Sequence, residues 1–286
     1  MAVRIASAAV GIPLAVLLVF GWGGVLFAPA VSALALIGLN EFYRGARKLG
    51  TDPLDWLGRG SCLLLIAWAY YEPDGRLLQH SYVPLMFVFL IGLLIEVLRP
   101  QRAPIRNLGA TALGVLYVGW LFACLVLLRF ADPMDAPVPH AMRPLLQLHW
   151  LDVHSYGAWL VLFLLLVVWA CDTGAYFTGR LLGKHKLAPS LSPGKTIEGL
   201  VGGLVATTTV SLLIGGWVAF PVPGRIIIGL IIGMCCVIGD LAESAMKREI
   251  GIKDFGAIMP GHGGVLDRFD SLLFAAPVLY FYVLVR

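Results

Sequence analysis

Long apolar segments dominate the pattern of hydrophobic and polar positions along the chain. A helix needs about 20 mostly apolar residues to cross the hydrocarbon core of a membrane, and nine segments approach that length. The pattern therefore predicts an all-α, polytopic integral membrane protein with about nine transmembrane helices. The predicted spans are 4–21, 23–42, 57–71, 83–98, 108–129, 156–179, 199–219, 225–247 and 270–285.

The first apolar segment begins after a single basic residue, Arg4, and so has the general form of a signal peptide. The apolar run continues with little interruption to Leu39, and many more follow, which favours a retained first span. We find no internal repeat and no long linker in the sequence. One integral unit is therefore expected, with about five spans in 1–155 and about four spans, joined by polar loops, in 156–286.

Basic residues in the connections predict the orientation, because cytoplasmic loops carry an excess of Lys and Arg. With the N-terminus inside, most of the 21 basic residues lie in cytoplasmic connections. Nine spans then leave the C-terminus outside. The basic residues left on the outer side are Arg76, Arg129, Arg143, Arg225 and Arg286.

Composition supports the assignment to membrane proteins and limits the kinds of binding partner that are expected. Of the 286 residues, 59% are hydrophobic and 13% are charged, with a mean hydropathy of +0.86; a soluble domain is about a quarter charged. The net charge of +4 follows from basic cytoplasmic loops beside anionic lipid headgroups, and no nucleic acid partner is expected. The five cysteines match no disulfide or zinc pattern. His140, His149 and His154 match no ligand motif, which favours a solvated loop over a metal site.

Acidic residues in or beside the last spans are the first sign of chemistry, because ionisable groups are costly inside a membrane. Asp240 and Glu243 end span eight at helical spacing, and Asp267 and Asp270 open span nine at the same spacing. Asp172 lies in span six. Each acid alone suits a cap or a surface ion pair, but both stripes together favour a site. Carboxylates without His or Cys suit a hard cation such as Mg²⁺.

Two polar loops lie beside these acids. The first, 256–264, has four glycines, and backbone N–H groups of glycine can surround an anion. Basic residues flank it, which favours metal-plus-phosphate chemistry. The second, 179–199, offers hydroxyls and Lys195 to phosphate oxygens. Its Gly194-Lys-Thr is only superficially similar to a Walker loop, because Pro189 stands where that motif needs glycine.

The second half of the chain contains a run of closely spaced motifs. From Ser244 to Asp270 these are Ser, Lys-Arg, Lys-Asp, His-Gly-Gly and Asp-Arg-x-Asp. Their order and spacing resemble the signature of the phosphatidate cytidylyltransferase family. The segment Ser192–Gly199 and the segment that begins at Asp172 are also similar to family motifs. Together these motifs cover about 169–271, so 156–286 is the expected catalytic region.

The resemblance implies a nucleotidyltransferase that converts CTP and phosphatidic acid to CDP-diacylglycerol and pyrophosphate for phospholipid biosynthesis. It also implies Mg²⁺ dependence, a homodimer, and a metal centre held by Asp240 and Asp267. Whether a monovalent cation joins Mg²⁺ is left open. The expected location is the inner (cytoplasmic) membrane, among membrane lipids, with the active site facing the cytoplasm.

The motifs and the spacing together give the expected site residues. His262 is open to phosphate binding, bracing of the turn, or proton transfer; an already anionic lipid phosphate disfavours the last. The residues expected to be catalytic are Asp240, Lys247, Arg248, Asp267 and Asp270. Those expected to bind substrate are Asp172, Ser190, Ser192, Lys195, Thr196, Glu198, Glu243, Ser244, Lys253, Asp254, His262, Gly263, Gly264 and Arg268.

Two rival functions also place acids in a membrane. A transporter or channel has no need of a basic glycine loop, and the sequence shows no inverted repeat. Another membrane phosphotransferase, acting on a different nucleotide-activated lipid or sugar, shares metal-binding acids; the run from Lys247 to Asp270 separates it from the favoured interpretation.

Overall fold

Helices make up most of the computed structural model, which describes residues 11, 13–71, 82–99, 103–131, 150–258 and 263–286, with backbone alone at 82–84 and 87. Within these residues, each predicted span overlaps one helix. The helices are α1 (13–20), α2 (Phe27–Lys48), α3 (Asp55–Tyr71), α4 (Tyr82–Leu98), α5 (Pro104–Phe130), α6 (Tyr156–Leu182), α7 (Ile197–Ile214), α8 (Val222–Ile250) and α9 (Leu266–Leu284).

Four of these helices, α5, α6, α7 and α8, are long and apolar enough to cross a membrane. The protein is therefore a mostly helical membrane protein, as expected from the apolar segments. The full number of nine crossings and the N-in, C-out orientation stay predictions.

A short antiparallel hairpin adds to the predicted all-α architecture. Its strands are β1 (Lys186–Ala188) and β2 (Ser192–Thr196), and an irregularity interrupts their pairing. The sequence pattern predicts only a loop over this segment. Strands this short, with a proline and a glycine in β2, carry no alternating apolar pattern that could have revealed them.

Local capping explains where the site helices begin and end. Thr196 is the N-cap of α7 and accepts a hydrogen bond from the Gly199 amide at 3.1 Å. At the other side of the site, α8 ends at Gly251 with a positive φ of 75°, which favours glycine. Lys247 and Arg248 lie in the last turn of α8, where cations suit the helix dipole.

Tight packing of the last four helices forms the frame of the site. Helices α6 and α7, α7 and α8, and α8 and α9 contact each other in succession, and α5 contacts both α6 and α9. Gly174 of α6 permits the close approach to α7, because a Cβ there would lie 2.6 Å from Ala206 Cβ. A continuous apolar core joins these helices to α2 and α3.

The connections that flank the site meet one another. The Arg248 Nε donates to the Leu191 carbonyl at 3.1 Å, which joins the end of α8 to the hairpin. The start of α6 contacts the connection between α7 and α8, because the Tyr156 hydroxyl donates to the Val218 carbonyl at 3.1 Å. The loops that the charge pattern assigns to one side, between α6 and α7 and between α8 and α9, therefore lie together.

Candidate active site

Three carboxylates from two helices converge at the centre of the site. Asp240 and Glu243 are three residues apart on α8 and so share one face of the helix, and Asp270 comes from α9. Oxygens of the three lie within 4.8 Å of one another. We refer to Asp240, Glu243 and Asp270 as the acidic trio.

Glu243 shows that the trio suits a cation. Its side chain is almost fully buried, at 1% exposed, and its Oε1 has no hydrogen-bond partner within the described residues. A buried carboxylate oxygen without a donor is costly. A hard divalent cation favours oxygen ligands of this kind, so the donor set fits Mg²⁺.

Asp267, the other aspartate expected at the metal, has both oxygens engaged. Its Oδ1 accepts from Lys247 Nζ at 2.9 Å, and its Oδ2 accepts from the amides of Phe255 and Gly264 at 2.9 and 2.8 Å. Lys247 Nζ also lies 2.5 Å from Glu243 Oε2. The Lys247 ammonium group thus links Asp267 to the acidic trio. Of the two aspartates predicted to hold the metal, Asp240 belongs to the acidic trio and Asp267 does not.

A second lysine reaches the trio from the hairpin. Lys195, on β2, places its Nζ 2.6 Å from Asp240 Oδ2. Ser244 Oγ donates to the other Asp240 oxygen at 3.4 Å. The site therefore alternates acidic and basic groups, an arrangement that can accept both cations and phosphate oxygens.

A cavity of about 490 Å³ opens beside Asp240, between α6, α7, α8 and the hairpin. Proteins bind small molecules in cavities of roughly 300–1,000 Å³. The walls mix charged and apolar groups, as a site for an amphiphilic substrate requires. Its polar lining includes Asp172, Tyr176, Arg180, Lys195, Thr196 and Asp240.

Several predicted substrate residues lie elsewhere among the described residues. Ser190, Lys253 and Asp254 are exposed and do not line this cavity, and Ser192 lies in β2 outside its lining. Arg248 lies beside the hairpin, as described above, and Arg268 lies in the first turn of α9.

The Glu198 carboxylate has a structural use that its place in the sequence motif did not indicate. It accepts from the amides of Lys184 and His185, and the His185 Nδ1 lies 2.6 Å from its Oε1. Glu198 therefore fastens the start of the hairpin to α7. That it also binds substrate stays a prediction.

The described part of the glycine loop contacts the protein's own carboxylate. The Gly264 amide donates to Asp267 and is therefore engaged within the protein rather than free to bind a phosphate. Gly263 has a φ of 83°, which side chains rarely adopt, and a Cβ there would lie 2.9 Å from Asp267 Oδ2. His262 lies outside the described residues, so its expected role stays a prediction.

Glu41 on α2 is a site residue that sequence reasoning missed. Its carboxylate accepts the amides of Val265 and Leu266, at the start of α9. A signal did exist, because Glu41 is a lone acid within the apolar run 23–42.

Comparison with known proteins shows the family to which the chain belongs. A model described as the cytidylyltransferase family matches residues 2–285. The chain is 34% identical to the phosphatidate cytidylyltransferase of Synechocystis over 98% of this chain and 95% of that protein. It is also 34% identical to that of Bacillus subtilis, over 77% and 73%, and 51% identical to that of Staphylococcus saprophyticus, over 45% and 50%. The chain therefore belongs to the cytidylyltransferase family, as the resemblance of its second half indicated.

Proposed function

We propose that this protein transfers the cytidylyl group of CTP to phosphatidic acid, giving CDP-diacylglycerol and pyrophosphate. Family membership and the relatives named above support this activity. The observation that carries the proposal is the acidic trio with Lys195 and Lys247 in contact, beside a cavity with both polar and apolar walls. Few other membrane functions require this combination of charges at one place.

The reaction explains why the site needs cations beside its acids. An oxygen of the lipid phosphate attacks the α-phosphorus of CTP, the bond to the β-phosphate oxygen breaks, and pyrophosphate leaves. Both reactants are anions, so fixed positive groups must offset their repulsion and stabilise the leaving charge. Lys195 and Lys247 supply such charge at the trio, and Arg248 stands next to Lys247 in the last turn of α8.

Mg²⁺ is the proposed cofactor, and Asp240, Glu243 and Asp270 would hold it. Bound there, the ion supplies Lewis-acid stabilisation of phosphoryl oxygens. Asp267 then has a different role, because it holds Lys247 and the amides of Phe255 and Gly264 in place. Its Oδ1 accepts a single hydrogen bond and keeps a second lone pair, so a part for Asp267 in holding the ion, as the resemblance implies, stays within the proposal.

The membrane setting suits a lipid substrate. Acyl chains can remain in the bilayer while the headgroup enters the cavity, whose walls include Leu187 and Leu200 beside the charged groups. The excess of basic residues in the predicted inner connections supports an active site on the cytoplasmic side of the inner membrane. CTP can reach such a site directly from the cytoplasm. A homodimer stays part of the proposal on the strength of the resemblance alone.

A direct assay tests the function. Purified protein in mixed micelles receives phosphatidic acid, Mg²⁺ and labelled CTP, dCTP or ATP, and the lipid product is separated and counted. We expect labelled CDP-diacylglycerol with CTP, and loss of product on chelation that added Mg²⁺ restores. Absence of a lipid product with both CTP and dCTP would refute the proposal. Because micelles enclose no second compartment, transport cannot account for the product.

A further inference from the structure

One face of α2 contacts the segment that joins α8 to α9. Gly38, Glu41, Phe42 and Gly45 follow the spacing i, i+3, i+4, i+7 and therefore lie on the same face of the helix. Each of these residues is buried. We call these four residues the α2 docking face.

Glu41 makes the polar contacts of the α2 docking face. Its side chain is buried, at 3% exposed. Its Oε1 accepts from the Val265 amide and its Oε2 from the Leu266 amide, both at 3.1 Å. One carboxylate thus receives two consecutive backbone donors from a segment that lies 224 residues away in the chain.

The start of α9 needs these acceptors because its own sequence does not supply them. The first N–H groups of a helix have no partner within the helix. At the N-cap of α9 stands Val265, whose side chain makes no capping bond. A negative charge at a helix N-terminus is also favoured by the helix dipole, so Glu41 acts as a cap supplied from another helix.

The rest of the docking face holds the same segment by close packing. A Cβ at Gly38 would lie 3.1 Å from Leu266 Cδ2, and one at Gly45 would lie 3.0 Å from Ile250 Cδ1. Phe42 stacks on Phe255, with ring centroids 6.5 Å apart and planes at 27°. Backbone, aromatic and polar contacts therefore fix both ends of the loop against α2.

We propose that Glu41 is a positioning residue for cytidylyl transfer. By holding the amides of Val265 and Leu266, it sets the first turn of α9, and with it the side chains of Asp267 and Asp270. The N-terminal helices thus complete the geometry of a site whose reacting groups all come from the C-terminal region. The expected effect on kcat rests on the proposed function, whereas the capping of α9 by Glu41 does not.

Glu41→Gln is the informative variant, with Glu96→Gln as its matched control. A glutamine keeps the size but offers one acceptor, and its amide N–H₂ opposes the second backbone donor. Glu96 is equally buried, at 1% exposed, yet its partners are Asn107 and Arg99, within the N-terminal helices. A displaced catalytic group can cost about 100-fold in rate. We expect kcat of Glu41→Gln to fall at least about tenfold, with KM for CTP within about threefold and Glu96→Gln near wild type.

Hydrogen exchange gives a readout that needs no substrate. In Glu41→Gln, peptides covering 263–270 should exchange faster than in the wild type, while those covering 104–114 stay unchanged. In Glu96→Gln the pattern should reverse, because Asn107 Nδ2 keeps only one of its two acceptor oxygens and Arg99 loses a charged partner. Unchanged exchange at 263–270, or an equal fall in kcat for both variants, would overturn the proposal.

A second pair of variants covers the case in which Glu41→Gln does not fold. Gly45→Ala adds a methyl group 3.0 Å from Ile250 and 3.3 Å from Phe255, whereas Gly60→Ala, on α3, meets nothing within 4 Å. We expect lower kcat and faster exchange at 263–270 for Gly45→Ala only; wild-type values for Gly45→Ala would overturn the proposal. Absence of cytidylyl transfer in the wild type would refute the proposed function alone, since exchange tests the contact separately.

Discussion

Two buried glutamates, one in each half of the chain, have opposite surroundings. Glu96, on α4, is 1% exposed, and both its oxygens accept from Asn107 Nδ2 at 3.1 Å, with Arg99 2.8 Å from Oε1. Glu243, on α8, is also 1% exposed, but it lies against two other acids and its Oε1 has no partner within the described residues. Burial alone therefore does not separate a structural acid from a functional one.

The difference lies in how completely each half satisfies its polar groups. A fully paired buried network stabilises and specifies the fold. Acids that converge without enough donors oppose folding, and they persist where a ligand provides what the protein does not. We therefore expect mutations in the N-terminal half, apart from the α2 docking face, to act mainly on stability, and those in the acidic trio mainly on turnover.

Asp240→Asn should show the largest effect. It removes one charge from the acidic trio and the partner of Lys195. We expect at least about a 10³-fold loss of kcat, at the upper range for loss of one electrostatic contact in a transition state, with an unfolding midpoint no lower than that of the wild type. The measurements are steady-state kinetics and thermal unfolding in detergent. Activity above a tenth of wild type would remove Asp240 from the centre of the site.

Arg129→Met should act on stability instead. Arg129 is 2% exposed, and it donates to Val19 O and Ser155 Oγ at 2.7 Å and to Asp152 at 3.0 Å. Breaking a buried ion pair costs about 3–5 kcal/mol, whereas an exposed pair is worth about 1 kcal/mol or less. Arg47→Met, which breaks the exposed pair with Asp55, is the control. Denaturant unfolding measures both, and a large loss of kcat in folded Arg129→Met would break the division between the halves.

Lys195→Ala should lower the rate by about 100-fold, as expected when a cation that contacts phosphate in the transition state is lost. The matched control is Lys186→Ala, an exposed lysine on the facing strand of the same hairpin. Steady-state kinetics with CTP and phosphatidic acid separate the two variants. Equal rates would show that the hairpin contributes only bulk charge.

Tyr117→Phe should have the smallest effect and sharpens the comparison most. Tyr117 is a buried residue in the π-helical segment of α5, its ring lies 6.2 Å from those of Phe42 and Phe274, and its hydroxyl has no partner within the described residues. Removing an unpaired hydroxyl should leave stability unchanged or raise it by up to about 1 kcal/mol. A tenfold fall in kcat would instead place this N-terminal hydroxyl among the groups that meet a ligand.

Apolar length predicted the helices of the fold from sequence. Every predicted span overlaps a helix within the described residues, because about 20 consecutive apolar residues leave few alternatives in a membrane. Helical spacing also put Asp240 and Glu243 on one face of α8, to which the structure adds Asp270 from α9. Such local patterns depend on neighbours three or four residues apart, which a sequence displays directly.

Long-range contacts could not be read in the same way. The partners of Asp267, the bonds of Glu198 to the hairpin and the cap supplied by Glu41 all depend on which segments meet in space. The glycines of 256–264 were expected to expose their amides to phosphate; among the described glycines, the Gly264 amide donates to Asp267. The spacing of glycines identifies which backbone amides could donate, but it does not say which acceptor each amide bonds to in the folded protein.

The cap that Glu41 supplies has a consequence for the biogenesis of the enzyme. Glu41 and its partner amide at Val265 are 224 residues apart. The ribosome therefore completes α2 long before it makes the backbone amides that donate to the Glu41 carboxylate. During that interval the nascent chain carries an unpartnered acid among inserted apolar helices, and contacts this distant in sequence form late. Catalytic competence thus requires that α9 be synthesised, and a chain stalled before α9 holds the acids of α8 without the geometry to use them.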